Sequence, residues 1–264
     1  MNKGLIGFSG FVGTTLRSQQ NFESVYRSTT IQEIEGVSFD LVVCAAAPAQ
    51  KWIANREPVA DGKNIEKLIG HLGKISCRTF VLISTVDVFK NPVGVDEYTP
   101  VEEDGLHAYG LHRRLLEKFV QSHFSTHLIV RLPGLVGPGL RKNVVFDFLN
   151  TNNLQAIDSR SVFQFYPMVN LWWDIQTAVT AGLKMVHLTA APISVATVSE
   201  QGFDRSFSQA TGSEPTRYDL RTRHASVFGG SGYYQYSARE TIQAVRTYAQ
   251  SEPRTHKARE GVDK

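Results

Sequence analysis

Residues 4–16 read GLIGFSGFVGTTL, and the reading of this stretch decides the fold. Gly7, Gly10 and Gly13 stand three residues apart, between an apolar lead-in and a helix-like run. Glycine costs backbone entropy, so three in one turn need a reason. A turn from a strand into a helix supplies one. Gly7 would allow the sharp turn, Gly10 the approach of a phosphate to the backbone, and Gly13 the close packing of helix on strand. The free N–H groups at Phe11, Val12 and Gly13, helped by the helix dipole, would hold a pyrophosphate. The spacing is Gly-x-x-Gly-x-x-Gly rather than Gly-x-Gly-x-x-Gly, and a glycine-rich turn without a ligand is the alternative.

Outward from this turn, apolar runs of strand length recur near residues 4–8, 23–27, 39–46, 78–84 and 127–132. They are almost continuously hydrophobic, as parallel strands covered on both faces are. The segment 108–124, AYGLHRRLLEKFVQSHF, has helical spacing at Leu111, Leu115, Leu116 and Phe119. Strands alternating with helices predict an α/β, doubly wound parallel sheet. Beyond about residue 135 the pattern loosens. NVVFDFL and LWWDIQTAVTAGLKM read as helices, VHLTAA as a strand, and TVSEQGFDRSFSQATG as a helix ending at Gly212. SARETIQAVRTYAQ reads as a capped helix. The expected organisation is one Rossmann-type domain over 1–250, with a small substrate lobe built from parts of 135–235 and a loose tail at 251–264.

The 264 residues carry a net charge of +3 and 42% hydrophobic residues. That supports a full core and is too weakly basic to argue for nucleic acid or an anionic membrane. Cys44 and Cys77 lie in or beside apolar runs and read as reduced, buried strand residues. No apolar run approaches the roughly 20 residues of a membrane span, and no signal peptide is visible. The expectation is a cytoplasmic protein with no metal, since His107, His112, His123 and His127 lack ligand spacing.

From the glycine motif to about Asp174, the chain resembles the extended short-chain dehydrogenase/reductases, especially the nucleotide-sugar epimerases and dTDP-4-dehydrorhamnose reductases. Four features carry the resemblance in order: GFSGFVG; VLISTVDVF, with Thr85 ahead of Val88-Phe89; AYGLHRRLLEK, with Tyr109 in the Tyr-x-x-x-Lys position; and VRLPGLVGPG, with Pro133 expected beside a nicotinamide. The resemblance implies a Rossmann fold and NAD(P)-dependent chemistry at a sugar carbonyl. Tyr109 would be the proton donor or acceptor, and Thr85 would hydrogen-bond the substrate oxygen. Ser9, Ser28, Ala45, Ala46 and Ala47 are further expected cofactor contacts. It also implies a homodimer through the helix that carries Tyr109.

Two positions refine this. At the end of the second run stands Tyr26-Arg27-Ser28, where an acidic residue would take the ribose hydroxyls of NAD. An arginine suits a 2′-phosphate, so NADP(H) is favoured over NAD(H). Arg113 replaces the family lysine. It keeps the charge and could bond the cofactor ribose, but guanidinium is effectively never deprotonated and cannot relay a proton. Two readings therefore stay open. One is a reductase or epimerase of a nucleotide-linked sugar: Val86 stands where sugar dehydratases carry Asp, which argues against dehydration, and Val88-Phe89 followed by VDEYTPVEEDGLHAYG looks more like a reductase loop than an epimerase one, so reductase is favoured. The other is a non-catalytic NADP(H)-binding sensor or scaffold. Asp87 reads equally as a substrate contact or a structural strand-end residue, and Trp172 and Trp173 read as core or lobe interface.

Overall fold

A computed structural model of the chain describes residues 2–255. Among these, six strands form one parallel sheet: β1 (Lys3–Ile6), β2 (Ser24–Tyr26), β3 (Ser38–Cys44), β4 (Ser76–Thr85), β5 (His127–Leu132) and β6 (Met185–His187). The spatial order is β6-β5-β4-β3-β1-β2. The helices that matter here are α1 (Phe11–Gln19), α2 (Lys51–Arg56), α3 (Pro58–Leu72), α4 (Ala108–His123), α5 (Val144–Asn150), α6 (Leu171–Thr180) and α7 (Ala238–Ser251).

The sheet is buried on both faces, which is why its strands read as unbroken apolar runs. On one face Leu16 of α1 and Trp172 and Ile175 of α6 pack against Leu5, Val43, Val81 and Val130. On the other, Ile65 and Leu68 of α3 and Leu116 and Val120 of α4 pack against Val42, Phe80 and Ile129. At about 25 cal/mol per Å² of apolar area, these two layers dominate the stability of the domain.

β1 pairs with β2 on one side and β3 on the other, so the strand order reverses there. In open α/β sheets the crevice outside the carboxyl ends at this reversal is where ligands bind. The glycine turn after β1 and Ala45–Ala47 after β3 line it. The Gly7 N–H donates to the Tyr26 carbonyl, and the Ala45 N–H to the Ile6 carbonyl, both at 2.8 Å.

The lobe is stitched from short pairs: Gly134–Val136 with Phe165–Pro167, Val162–Phe163 with Ile193–Ser194, and Asp219–Leu220 with Val93–Val95, which lies ahead of the expected lobe range. α7 packs on α5 and carries the predicted cap, with Ser237 and Glu240 bonding reciprocally. The helix predicted to end at Gly212 stops earlier. A short turn, Val195–Thr197, runs into a π-turn, Val198–Gly202, and Asp204 takes φ 50°. Residues 203–212 run without helix, and the Gln209 side chain ties them to the carbonyls of Leu154, Gln155 and Ile157. Trp172 is buried as expected, but Trp173 is 73% exposed, because it sits on the outer face of α6. Of the expected tail, Ser251 closes α7, Glu252 accepts from the Gly139 N–H, Thr255 donates to Asn150, and residues 256–264 lie outside the described residues. Both cysteines are free, Cys77 being half-buried, and desolvation pushes each thiol up to about 12. No described helix is long and apolar enough to cross a membrane.

Candidate active site

The glycine turn has the three-part geometry its spacing implies. Gly7 holds φ +86°, and a Cβ there would lie 2.8 Å from Cα of Ala46. A Cβ at Gly13 would meet Phe8 Cα at 2.7 Å, so α1 packs directly on the turn. Gly10 differs: a Cβ would meet only the Gly7 carbonyl, at 3.5 Å, and otherwise open space. Gly10 is also the N-cap of α1 and offers no side-chain cap. The first N–H groups of α1 lack intrahelical partners by construction, and they face the crevice that Gly10 leaves open. A cradle of this kind fits a pyrophosphate. Arg27 and Ser28, both exposed, follow directly on Tyr26 at the tip of β2, beside the turn.

A second cluster gathers at the carboxyl end of β4. Thr85 ends that strand and caps the turn Val86–Val88, its Oγ1 accepting the Asp87 N–H at 3.1 Å. Thr85 is in register with Leu132 of β5, so buried Pro133 follows beside it. Tyr109, in the first turn of α4, is 9% exposed, and its side chain lies close enough to that of Thr85 for the hydroxyl to favour the charged phenolate. α4 is fixed at this end by His107, whose Nδ1 accepts the Gly110 N–H, and by Asn55, which accepts the Tyr109 N–H at 3.0 Å. Burial raises the Tyr109 pKa; the Arg113 charge lowers it, Asp87 raises it again, and the net direction is upward.

Arg113 lies against Tyr109, its guanidinium carbon 4.0 Å from the ring centroid. Its terminal nitrogens are engaged. Nη1 donates to Asp61 and the Tyr109 carbonyl, and Nη2 to Asp61 and the Pro48 carbonyl. Of five donors, only Nε remains, buried and without a partner among the described residues. Asp61 also pairs with His112 at 2.7 Å. Burial works to raise the Asp61 pKa, but the Arg113 and His112 hydrogen bonds outweigh it and hold the carboxyl below its usual range.

The structure adds residues that sequence reasoning did not place here. Lys51 opens α2 and reaches Asp87 Oδ1 at 2.8 Å; Tyr218, from the lobe, donates to the same oxygen at 3.1 Å. Lys142 donates across the crevice mouth to the Ala49 carbonyl. None had a local signal, because each partner lies tens of residues away. Asp61 had an indirect one: a buried arginine in place of lysine demands a counter-charge. Glu117, on α4 one turn beyond Arg113, is fully buried and bonds Ser84, Arg114 and Arg131, a structural network behind the site. Two surface hollows of about 360 and 520 Å³ lie on the lobe around Gln201 and Arg246, and neither is lined by Thr85 or Tyr109.

No protein-family model matches the chain, and no curated protein matches it by sequence. Solved structures do match. The dTDP-4-dehydrorhamnose reductase of Clostridium acetobutylicum superposes with a TM-score of 0.72 at 17% identity, over 95% of this chain and 99% of that one. The fold is that of the extended short-chain dehydrogenase/reductases. The same extended short-chain fold appears in a dTDP-4-dehydrorhamnose reductase from Bacillus anthracis in complex with NADP, at a TM-score of 0.70, 15% identity and coverage of 94% and 98%. It also appears in UDP-glucose 4-epimerase of Thermotoga maritima with UDP-glucose, at 0.69, 15%, and coverage of 95% and 99%. The six-stranded parallel sheet and the near-complete coverage bear out the fold read from the sequence.

Proposed function

We propose that this protein is an NADPH-dependent reductase of a carbonyl group on a nucleotide-linked sugar. The observation that carries the reading is the juxtaposition of Tyr109, in the first turn of α4, with Thr85 at the carboxyl end of β4, beside an open-sided glycine turn. The bound reduced nicotinamide would supply the hydride. Thr85 orients the carbonyl oxygen, and the Tyr109 O–H gives it a proton as charge develops there.

The direction follows from Asp61. Its carboxylate neutralises Arg113, so little net positive charge faces the phenol, and burial keeps the phenol protonated. A protonated phenol suits reduction. An epimerase must first oxidise its substrate, with this tyrosine as base, and the site favours that less. Arg27, exposed beside the glycine turn, is the group for a 2′-phosphate. The free thiols, Cys44 buried and Cys77 half-buried, fit a cytoplasmic enzyme, and exposed Leu111 and Leu115 on α4 suit a homodimer face.

The second reading, a protein that binds NADP(H) without turning over, draws on the engaged Arg113: its four terminal N–H groups leave no proton relay beside Tyr109. Titration with NADPH and NADH, followed by turnover on a panel of keto-sugar nucleotides, separates the two. The reductase reading expects NADPH to bind tighter than NADH, and at least one sugar to be reduced. Tight NADPH binding with no reduction on any sugar favours the sensor.

A further inference from the structure

We propose that the larger hollow on the lobe, about 520 Å³, binds an organic phosphate, a phosphate monoester carried on a flat apolar body. None of the residues placed at the crevice lines it, so the inference stands whether or not the reductase reading does.

Charge comes first. Arg205, Arg246 and Arg254 line this hollow, and Asp204 is the one acidic residue beside them among the described residues. Three guanidiniums against one carboxylate leave an excess of two positive charges there, in a chain whose net charge is only +3. A phosphate monoester brings about 1.5–2 negative charges and three acceptor oxygens. A carboxylate brings one charge and two oxygens, so the match is to phosphate.

Placement comes next. The three arginines arrive on separate segments, each anchored by a contact that leaves its terminal nitrogens unspent among the described residues. Arg246, on α7, donates from Nε to the Gln201 carbonyl at 2.6 Å, which orients its fork. The Arg205 backbone is tied twice to buried Ser199: its N–H donates to the Ser199 carbonyl at 3.1 Å, and its carbonyl accepts the Ser199 hydroxyl at 2.8 Å. Arg254 is held by its neighbour Thr255, whose N–H donates to Asn150 Oδ1 at 2.6 Å. The π-turn Val198–Gly202 that leads to Arg205 is pressed on α7, since a Cβ at Gly202 would lie 2.5 Å from Val245. Such turns recur at functional sites. The floor is apolar: Phe148 and Phe203 line the hollow with ring centroids 5.6 Å apart. Rings take a flat apolar body, guanidinium forks take phosphate oxygens, and the volume is that of a small-molecule site.

The test is calorimetric titration of the native protein with 1-naphthyl phosphate, 1-naphthol and inorganic phosphate, with and without saturating NADPH. The inference expects the ester to bind at least about 10-fold tighter than either half, with the same affinity in both conditions. Arg205→Gln and Arg246→Gln should each weaken the ester by about 10- to 100-fold and leave NADPH affinity unchanged. Arg205 makes no side-chain contact among the described residues, so its variant keeps the fold even if Arg246→Gln loosens the π-turn. Arg239 lines only the smaller hollow alongside, and Arg239→Gln should leave the ester's affinity as it was. No binding of the ester, equal affinity for ester and alcohol, displacement by NADPH, binding that survives both variants, or an equal loss in Arg239→Gln overturns the inference.

Discussion

At the scale of single residues, Arg113 governs how Tyr109 works. Lysine in its place would be a mobile point charge; arginine is a planar group, here held by Asp61 and stacked on the phenol. The pH dependence follows. Burial raises the Tyr109 pKa above its ordinary value of about 10. The active form for reduction is the protonated phenol, so the rate should stay level as pH rises and fall only above about 10. Asp61→Asn removes the charge that neutralises Arg113, which lowers the Tyr109 pKa and moves the fall to lower pH. A pH–rate series on the two proteins checks this; an unchanged alkaline limb would break the link from Asp61 to Tyr109. Arg27 gives a second prediction. Arg27→Ala should weaken NADPH by about 1.5–3 kcal/mol and NADH far less. Equal weakening of both, read by fluorescence titration, would remove the 2′-phosphate role. Thr85 and Tyr109 were legible in the sequence because each sits in a local pattern. Asp61, Lys51 and Tyr218 were not, since they meet their partners across 52, 36 and 131 positions.

At the scale of elements, α1 and the turn before it separate binding from folding. The space beside Gly10 is open, while Gly13 is pressed against Phe8. Gly10→Val should therefore fold, and lose NADPH because its side chain fills the space a pyrophosphate needs. Gly13→Ala should instead destabilise the protein by about 1–3 kcal/mol, as overpacked contacts do. Circular dichroism with urea melts reads the second effect, and titration reads the first. A Gly10→Val protein that binds NADPH normally would reduce the motif to a turn. The strands and α4 were legible because burial on both faces of a sheet, or along one face of a helix, leaves a periodic trace. The segment 197–212 was not, because it is held by contacts outside itself, such as Gln209 reaching carbonyls more than fifty positions back.

At the scale of the whole molecule, the lobe docks on edge strand β6 through His187. The His187 N–H donates to Glu97, Nδ1 donates to the Arg221 carbonyl, and Nε2 faces Arg131 at 3.4 Å. Burial first, with Arg131 opposing Glu97, lowers its pKa to about 4, against about 6.5 unfolded. Between these values the unfolded chain binds the extra proton, so stability rises with pH across this window. On acidification from about 6.5 to 4 the protein should lose on the order of 3 kcal/mol from this group. Urea midpoints at several pH values read the loss, and a flat profile over the window would show that His187 does not couple sheet to lobe. The central claim spans both parts, because sheet and lobe together enclose Thr85, Asp87 and Tyr109. Its most direct test is single-turnover NADPH oxidation with the best keto-sugar nucleotide, comparing the native protein with Tyr109→Phe across pH. The account predicts that NADPH affinity is kept while the chemical step slows by about 10²–10⁴-fold and the alkaline limb disappears. A Tyr109→Phe protein that reduces the sugar at the native rate across that range would contradict it.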